Sequence, residues 1–265
     1  MKILVKFPTR QRPQRFFNAL NRYQHLRTTD DLYFLVTIDK DDKEMNNPNV
    51  INALKMWGNL QYEIIESQGK IAAINSGINE FDKHYDIILL ASDDMIPRVK
   101  GYDQIIIDAM KDNYPDTDGV LWFNDGNAKD ELNTLCILGK KYYDRFKYIY
   151  HPSYKGLWCD NEFMDVANIL GKQKYFEQVI IYHEHSAWNR SIPKDQLNVR
   201  DNNNYDIDQS NYELRKQNNF DLKTNSININ SNTEDQGIDV QQSNEGIGVT
   251  TKKRGRRKSS DLHDA

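Results

Sequence analysis

Four short apolar runs constrain the first half of this chain more than any other feature. They are Lys2–Phe7 (KILVKF), Leu32–Ile38 (LYFLVTI), Tyr62–Ile65 and Asp86–Ala91 (DIILLA). Each has the length of a strand, and the longest read as near-continuous apolar stretches, the pattern of strands covered on both faces. Helix-like segments lie between them. Arg12–Tyr23 carries Phe16, Phe17 and Leu20 at helical spacing, Val50–Trp57 looks helical, and Gly69-Lys70 opens a helix with Ile71, Ala72, Ile74 and Ile78 inward. Alternating strand and helix predicts an α/β fold with a mostly parallel central sheet and helices on both faces. Ligands bind such sheets beyond the carboxyl ends of the strands. Thr9-Arg10, Asp39 and Asp93-Asp94 all fall at those ends.

The second half is less regular. Tyr102–Met110 reads as a helix, Gly119–Phe123 and Leu135–Leu138 as strands, and Asp160–Leu170 as a helix. Tyr175–Tyr182 reads as one strand ending at His183-Glu184-His185, and Tyr205–Phe220 as a polar closing helix. From Asp221 onward the chain is rich in Asn, Ser, Gln, Asp and Gly. Such composition cannot bury a core, so the expected organisation is one domain over 1–220 and a disordered tail over 221–265. A net charge of −4 gives the body no general attraction to nucleic acid or anionic membrane. Two cysteines, Cys136 and Cys159, offer no disulfide framework. No apolar stretch approaches the roughly 18 residues of a membrane span. Met1–Phe7 has no signal-peptide pattern, so a cytoplasmic protein is expected.

The chemistry-bearing feature is Ser92-Asp93-Asp94, directly after the fourth run. Adjacent carboxylates in a sheet-end crevice suit Mg²⁺ or Mn²⁺, which take oxygen ligands and are commonly completed by substrate phosphates. The same pair on a solvated loop would be ordinary surface aspartates. The neighbouring segments bear on this choice. KILVKFPTRQRP, VTIDKDD, GKIAAINSGI and ILLASDDMIP occur in the order found in the GT-A fold glycosyltransferases, and the chain resembles their family 2-like group over about residues 2–220. GKIAAINSGI is similar to that group's Gly-Lys-x-x-Ala-x-Asn-x-Gly segment, with Gly69, Lys70, Ala73, Asn75 and Gly77 matching. Ser92 stands where the group often has a first acid.

The resemblance implies a nucleotide site built from Thr9, Arg10, Asp39, Lys70, Asn75 and Asp93, with Asp94 as metal ligand. It implies a late histidine completing the metal shell; His183 and His185 both qualify, with His185 slightly preferred. It also matches Trp158-Cys159-Asp160-Asn161-Glu162-Phe163 to a motif that carries the catalytic base, Asp160 first and Glu162 second. A positioned carboxylate can take the acceptor hydroxyl proton. Asp160 reads equally as a helix N-cap, and Trp158 as a sugar platform or as core. Imidazole with carboxylate suits Mn²⁺ better than Mg²⁺.

The resulting expectation is a divalent-metal-dependent, inverting transfer of a sugar from a nucleotide-sugar, with UDP as the nucleotide. The acceptor is open between a glycan, a protein and DNA. Lys252, Lys253, Arg254, Arg256, Arg257 and Lys258 form a basic run near the C-terminus, where phosphate contact is feasible through counterion release. Some viral glycosyltransferases modify DNA bases, and a phage or viral member would work in its host's cytoplasm. A nucleotidyltransferase would use the same metal site, but Pro8–Pro13 lacks the Gly-rich phosphate loop. A non-catalytic nucleic-acid-binding protein would act through the tail instead. A Gly-x-Gly-x-x-Gly after the first strand is absent, which excludes the dinucleotide-binding dehydrogenase pattern.

Overall fold

The structure is a computed structural model and describes residues 1–184 and 204–222. Its first half alternates β1 (Ile3–Thr9), α1 (Pro13–Leu26), β2 (Leu32–Asp39), α2 (Pro48–Lys55), β3 (Leu60–Ile65), α3 (Lys70–Asn75) and β4 (Ile87–Leu90). Next come β5 (Met95–Pro97), α4 (Tyr102–Asn113), β6 (Val120–Phe123), β7 (Ile137–Gly139), α5 (Lys140–Asp144) and α6 (Cys159–Ile169). β8 (Gln173–Phe176), β9 (Ile181–His183) and α7 (Tyr205–Gln217) complete the described elements, with a 3₁₀ turn at Asn219–Asp221.

Seven strands form the central sheet in the order β3-β2-β1-β4-β7-β6-β8. β1 pairs in parallel with β2 and β4, β2 with β3, and β6 with β8, while β7 runs antiparallel to both β4 and β6. β5 and β9 form a separate antiparallel pair. The single strand expected over Tyr175–Tyr182 is thus two strands in two sheets. The chain leaves β6 at Phe176 and crosses through 177–180 to pair with β5, because the ladder partners of its two halves lie in different places.

β1 shows why the fold forms. Ile3, Val5 and Phe7 are fully buried against Phe16, Leu20 and Tyr23 of α1 and Ile106 of α4. Phe7 meets Phe16 edge-on at 4.9 Å between ring centroids. Burying each such side chain is worth about 1.5–3 kcal/mol. The alternate positions face α3. Lys6, also fully buried, bonds to Thr37 of β2, the Ser76 carbonyl (2.7 Å) and Glu63 of β3 (3.3 Å). Burial pulls its pKa down to about 8, against the raising pull of Glu63. A buried cation survives there because each of its donors is met. Gly77, at φ +70°, follows α3, and a Cβ there would lie 2.6 Å from the Glu63 carboxylate. The polar pin and the glycine therefore require each other.

The basic run at 252–258 and the rest of 223–265 lie outside the described residues, as do 185–203 with His185. Among the described residues no helix is long and apolar enough to cross a membrane.

Candidate nucleotide and metal site

Thr9 and Asp39 end adjacent parallel strands. Asp39 is 5% exposed, and its Oδ1 is buried without a hydrogen-bond partner. Its Oδ2 accepts from the Arg10 guanidinium at 2.6 Å. Arg10 also donates to both oxygens of Asp41 at 2.8 and 3.0 Å and to Ser67 Oγ at 3.3 Å. Asp41 and then Asp39 hold the guanidinium firmly charged, against the opposing effect of burial. The β2–α2 loop is set by Asp42, whose oxygens accept from the Gln11, Glu44 and Met45 amides, and by Asn47, which caps α2. A buried acceptor left open beside a fully committed one is the mark of a place where a donor from outside fits.

Asp93 and Asp94 follow β4. Asp93 pairs with Arg12 at 3.1 Å and with Arg15 at 3.8 Å. Burial and the neighbouring Asp94 charge raise its pKa, and the two arginines counter them. Asp94 turns differently. Ser92 donates its hydroxyl to Asp94 Oδ1, so the residue that departs from an all-acid triplet orients the carboxylate. Asp94 Oδ2 then lies 3.8 Å from His183 Nε2. The β5–β9 ladder makes this approach, pairing Met95 with His183, while the Glu184 amide donates to the Asp94 carbonyl at 2.7 Å. On its other side His183 Nδ1 lies 3.4 Å from Asp125 Oδ2.

Two donors 3.8 Å apart fall within the span of one ion that holds each ligand at about 2.1 Å. Among the described residues no group of three or more His, Cys, Asp or Glu side chains surrounds a common point. An ion held here would therefore draw its remaining ligands from phosphate oxygens and water, a mixture that Mg²⁺ and Mn²⁺ accept.

Two of the expected site residues, Asn75 and Glu162, make hydrogen bonds within the fold. Asn75 accepts at Oδ1 from the amides of Ile149 (2.9 Å) and Tyr150 (3.2 Å) and donates to the Tyr150 carbonyl at 2.7 Å. Its amide thus ties α3 to that turn. Glu162 is 4% exposed, and its carboxylate is gripped by Arg215 of α7 and by the Tyr154 hydroxyl. That carboxylate, the second base candidate, stands in a buried ion pair with Arg215. Lys70, the first residue of α3, reaches the Gly156 carbonyl at 3.5 Å. Trp158 is core: it packs against Tyr212 (5.2 Å) and Tyr205 (5.7 Å).

Asp160 keeps its place in the first turn of α6, 7% exposed. It is not the N-cap; that position is Trp158, at φ +61°, with no side-chain cap bond. The preceding loop is held from α7, where Asp208 accepts the Lys155, Gly156 and Leu157 amides at 2.8–2.9 Å.

Asp125, Arg12 and Arg15 escaped the reading of the sequence. Asp125 had a legible signal: it follows the apolar run VLWF and precedes a glycine, the same strand-end position that marks Asp39 and Asp93. Asp125 is 2% exposed. Burial works against its charge, yet His183, the Thr134 hydroxyl and the Asn127 amide bring its pKa down to about 2.

No family model and no curated protein sequence matches the chain. Solved structures do. The mannosyltransferase PcManGT from Pyrobaculum calidifontis, in complex with GDP-Man and Mn²⁺, superposes with a TM-score of 0.58 at 12% identity over 84% of this chain. Residues 1–349 of S. aureus TarS give 0.54 at 13% identity over 71%. The same fragment in complex with UDP-GlcNAc gives 0.53 at 14% identity over 69%. The chain spans 65%, 61% and 58% of these structures' own lengths, less than two thirds of each. Sheet order and these superpositions agree: the chain has the GT-A type fold.

Proposed function

We propose that this chain is a glycosyltransferase that moves a sugar from a nucleotide-sugar to an acceptor hydroxyl, depends on Mn²⁺ or Mg²⁺, and inverts the anomeric centre. The observation that carries the reading is the pairing of Asp94 Oδ2 with His183 Nε2 at 3.8 Å, at the same sheet edge as the open Asp39 oxygen. In this reading Thr9, Arg10, Asp39 and Lys70 line the nucleotide, with Asp39 Oδ1 accepting from the base or ribose. UDP is the nucleotide and a hexose the sugar. Likeness to neighbours bound to UDP-GlcNAc or to GDP-Man and Mn²⁺ supports the class of donor.

In the reaction the acceptor oxygen attacks the anomeric carbon, the bond from that carbon to the diphosphate oxygen breaks, and the nucleoside diphosphate leaves. Asp160 takes the acceptor's proton. Asp94 and His183 would hold the divalent ion, which would supply Lewis-acid neutralisation of the charge that builds on the leaving diphosphate. Arg12 and Arg15 keep Asp93 charge-balanced beside that ion. The acceptor is a glycan, a protein or DNA. For DNA, the run from Lys252 to Lys258 would tether the acceptor and raise its local concentration; a low-salt mobility shift that survives deletion of 250–265 would remove that part.

The test is donor hydrolysis. The protein is incubated with a panel of UDP- and GDP-sugars, with Mn²⁺ or with EDTA, and released nucleotide is measured. Mn²⁺-dependent release from one donor supports the reading and names the sugar. No release from any donor, with no thermal stabilisation by UDP or GDP plus Mn²⁺, overturns it.

A further inference from the structure

The geometry assigns Asp125 a role of its own: it is a positioning residue that sets which nitrogen of His183 carries the proton and where the other nitrogen points. This rests on the reading of Asp94 and His183 as ion ligands, and its core measurement needs no ion.

Asp125 follows β6, and its carboxylate is held on every side. Oδ1 accepts from the amides of Asn127 (2.8 Å) and Ala128 (2.7 Å), and Oδ2 accepts from the Thr134 hydroxyl (2.7 Å). The remaining approach to Oδ2 faces His183 Nδ1 at 3.4 Å, an ion-pair contact longer than the hydrogen bonds on its other sides. The main chain locks the same pair. The His183 amide donates to the Asp125 carbonyl at 2.9 Å, and Asn127 Nδ2 donates to the His183 carbonyl at 2.6 Å. Gly126, at φ +88°, lets the loop close onto β9, where a Cβ would lie 2.3 Å from the Tyr182 ring. Three consecutive residues, Asp125 to Asn127, are thus shaped around Tyr182 and His183 of β9.

An ionised carboxylate only accepts hydrogen bonds. Asp125 stands 3.4 Å from Nδ1, nearer than Asp94 Oδ2 stands to Nε2 (3.8 Å), so the closer acceptor takes the ring proton on Nδ1 and Nε2 is left for an ion shared with Asp94. An imidazole that binds a cation needs that bare nitrogen, and the partner of the other nitrogen decides the tautomer. Asp125→Asn keeps an oxygen for the Asn127 and Ala128 amides but turns an NH₂ toward Nδ1. That donor moves the ring proton to Nε2, the nitrogen meant for the ion.

The experiment is nitrogen-15 NMR of the histidine rings in the metal-free full chain at about pH 8.5, about two units above the ordinary imidazole value. His183→Gln assigns the signal. Mn²⁺ affinity is then measured by EPR for both wild type and Asp125→Asn. The expected result is Nδ1–H in wild type, Nε2–H in Asp125→Asn, and a Kd for Mn²⁺ weakened about 10–100-fold. A wild-type ring in the Nε2–H form overturns the proposal without recourse to any variant. An unchanged tautomer or an unchanged affinity in Asp125→Asn also overturns it. A switched tautomer in a protein whose wild type binds no Mn²⁺ upholds the positioning role and removes the ion site of the proposed function.

Discussion

Arg215 grips Glu162 with two hydrogen bonds, Nε to Oε2 at 2.7 Å and NH2 to Oε1 at 2.8 Å. Under the proposed function two acids on one turn of α6 would do different work, although the sequence places them two residues apart. Asp160→Asn should lower transfer by about 10²–10⁴-fold with little change in melting, as loss of a general base does. Arg215→Met should instead unfold the protein more readily, because it strands a buried charge at a cost of about 3–5 kcal/mol. Glu162→Gln combined with Arg215→Met should recover most of that stability. Transfer kinetics and thermal melts of the variants check both; near-wild-type transfer in Asp160→Asn would reject the base.

Asp94→Ala removes a proposed ligand that is half-buried at a strand end, outside the apolar core. Donor hydrolysis with Mn²⁺ should fall about 100-fold or more, since ion-assisted charge stabilisation is worth several kcal/mol. Circular dichroism and the melting curve should match wild type. EDTA should bring wild type down to the level of the variant and leave the variant unchanged.

The open oxygen of Asp39 predicts a binding effect separable from chemistry. Asp39→Ala should weaken UDP by about 10–100-fold in calorimetry, the range for a lost hydrogen bond to a charged group plus its stranded partner. Arg10 retains Asp41 in that variant, so the loop should hold. Equal UDP affinity in both proteins would move the nucleotide away from β2.

Lys6 predicts a pH dependence. Burial, opposed by Glu63, sets its folded pKa at about 8, below the ordinary value of about 10.4 in an unfolded chain. Between those values the unfolded state binds more protons, so the contribution of this group to stability rises with pH. Wild type should therefore gain stability relative to Lys6→Met on going from pH 7 to about 9.5. Urea melts of the pair at both pH values test this; a gap that moves the other way would mean that the buried amine stays charged.

The parallel half was legible because burial on both faces writes a continuous apolar run, and β1, β2 and β4 are such runs. The strand-end positions of Thr9, Asp39, Asp93 and Asp94 follow from the same rule. The second half was harder to read. β5, β7 and β9 are three residues each, too short to show a period, and α5 is a five-residue turn of helix. Side-chain commitments across the chain leave no local trace. Asn75 reads as a motif residue until its bonds to a turn 74 and 75 positions later are seen. Asp125 reads as a turn acid until β9 brings His183 beside it.

The hold of Asp208 on the loop before Asp160 has a consequence for how the protein is made. Gly156 and Asp208 are 52 positions apart, and the loop amides stay unmet until α7 has been synthesised. At about 5–20 residues per second, that is a wait of roughly 3–10 s on the ribosome. The parallel half, whose strands are local neighbours, can assemble during that interval. A chain cut short before Tyr205 would thus hold its parallel strands while the loop ahead of Asp160 stayed unset: order would reach one end of the sheet before it reached that loop.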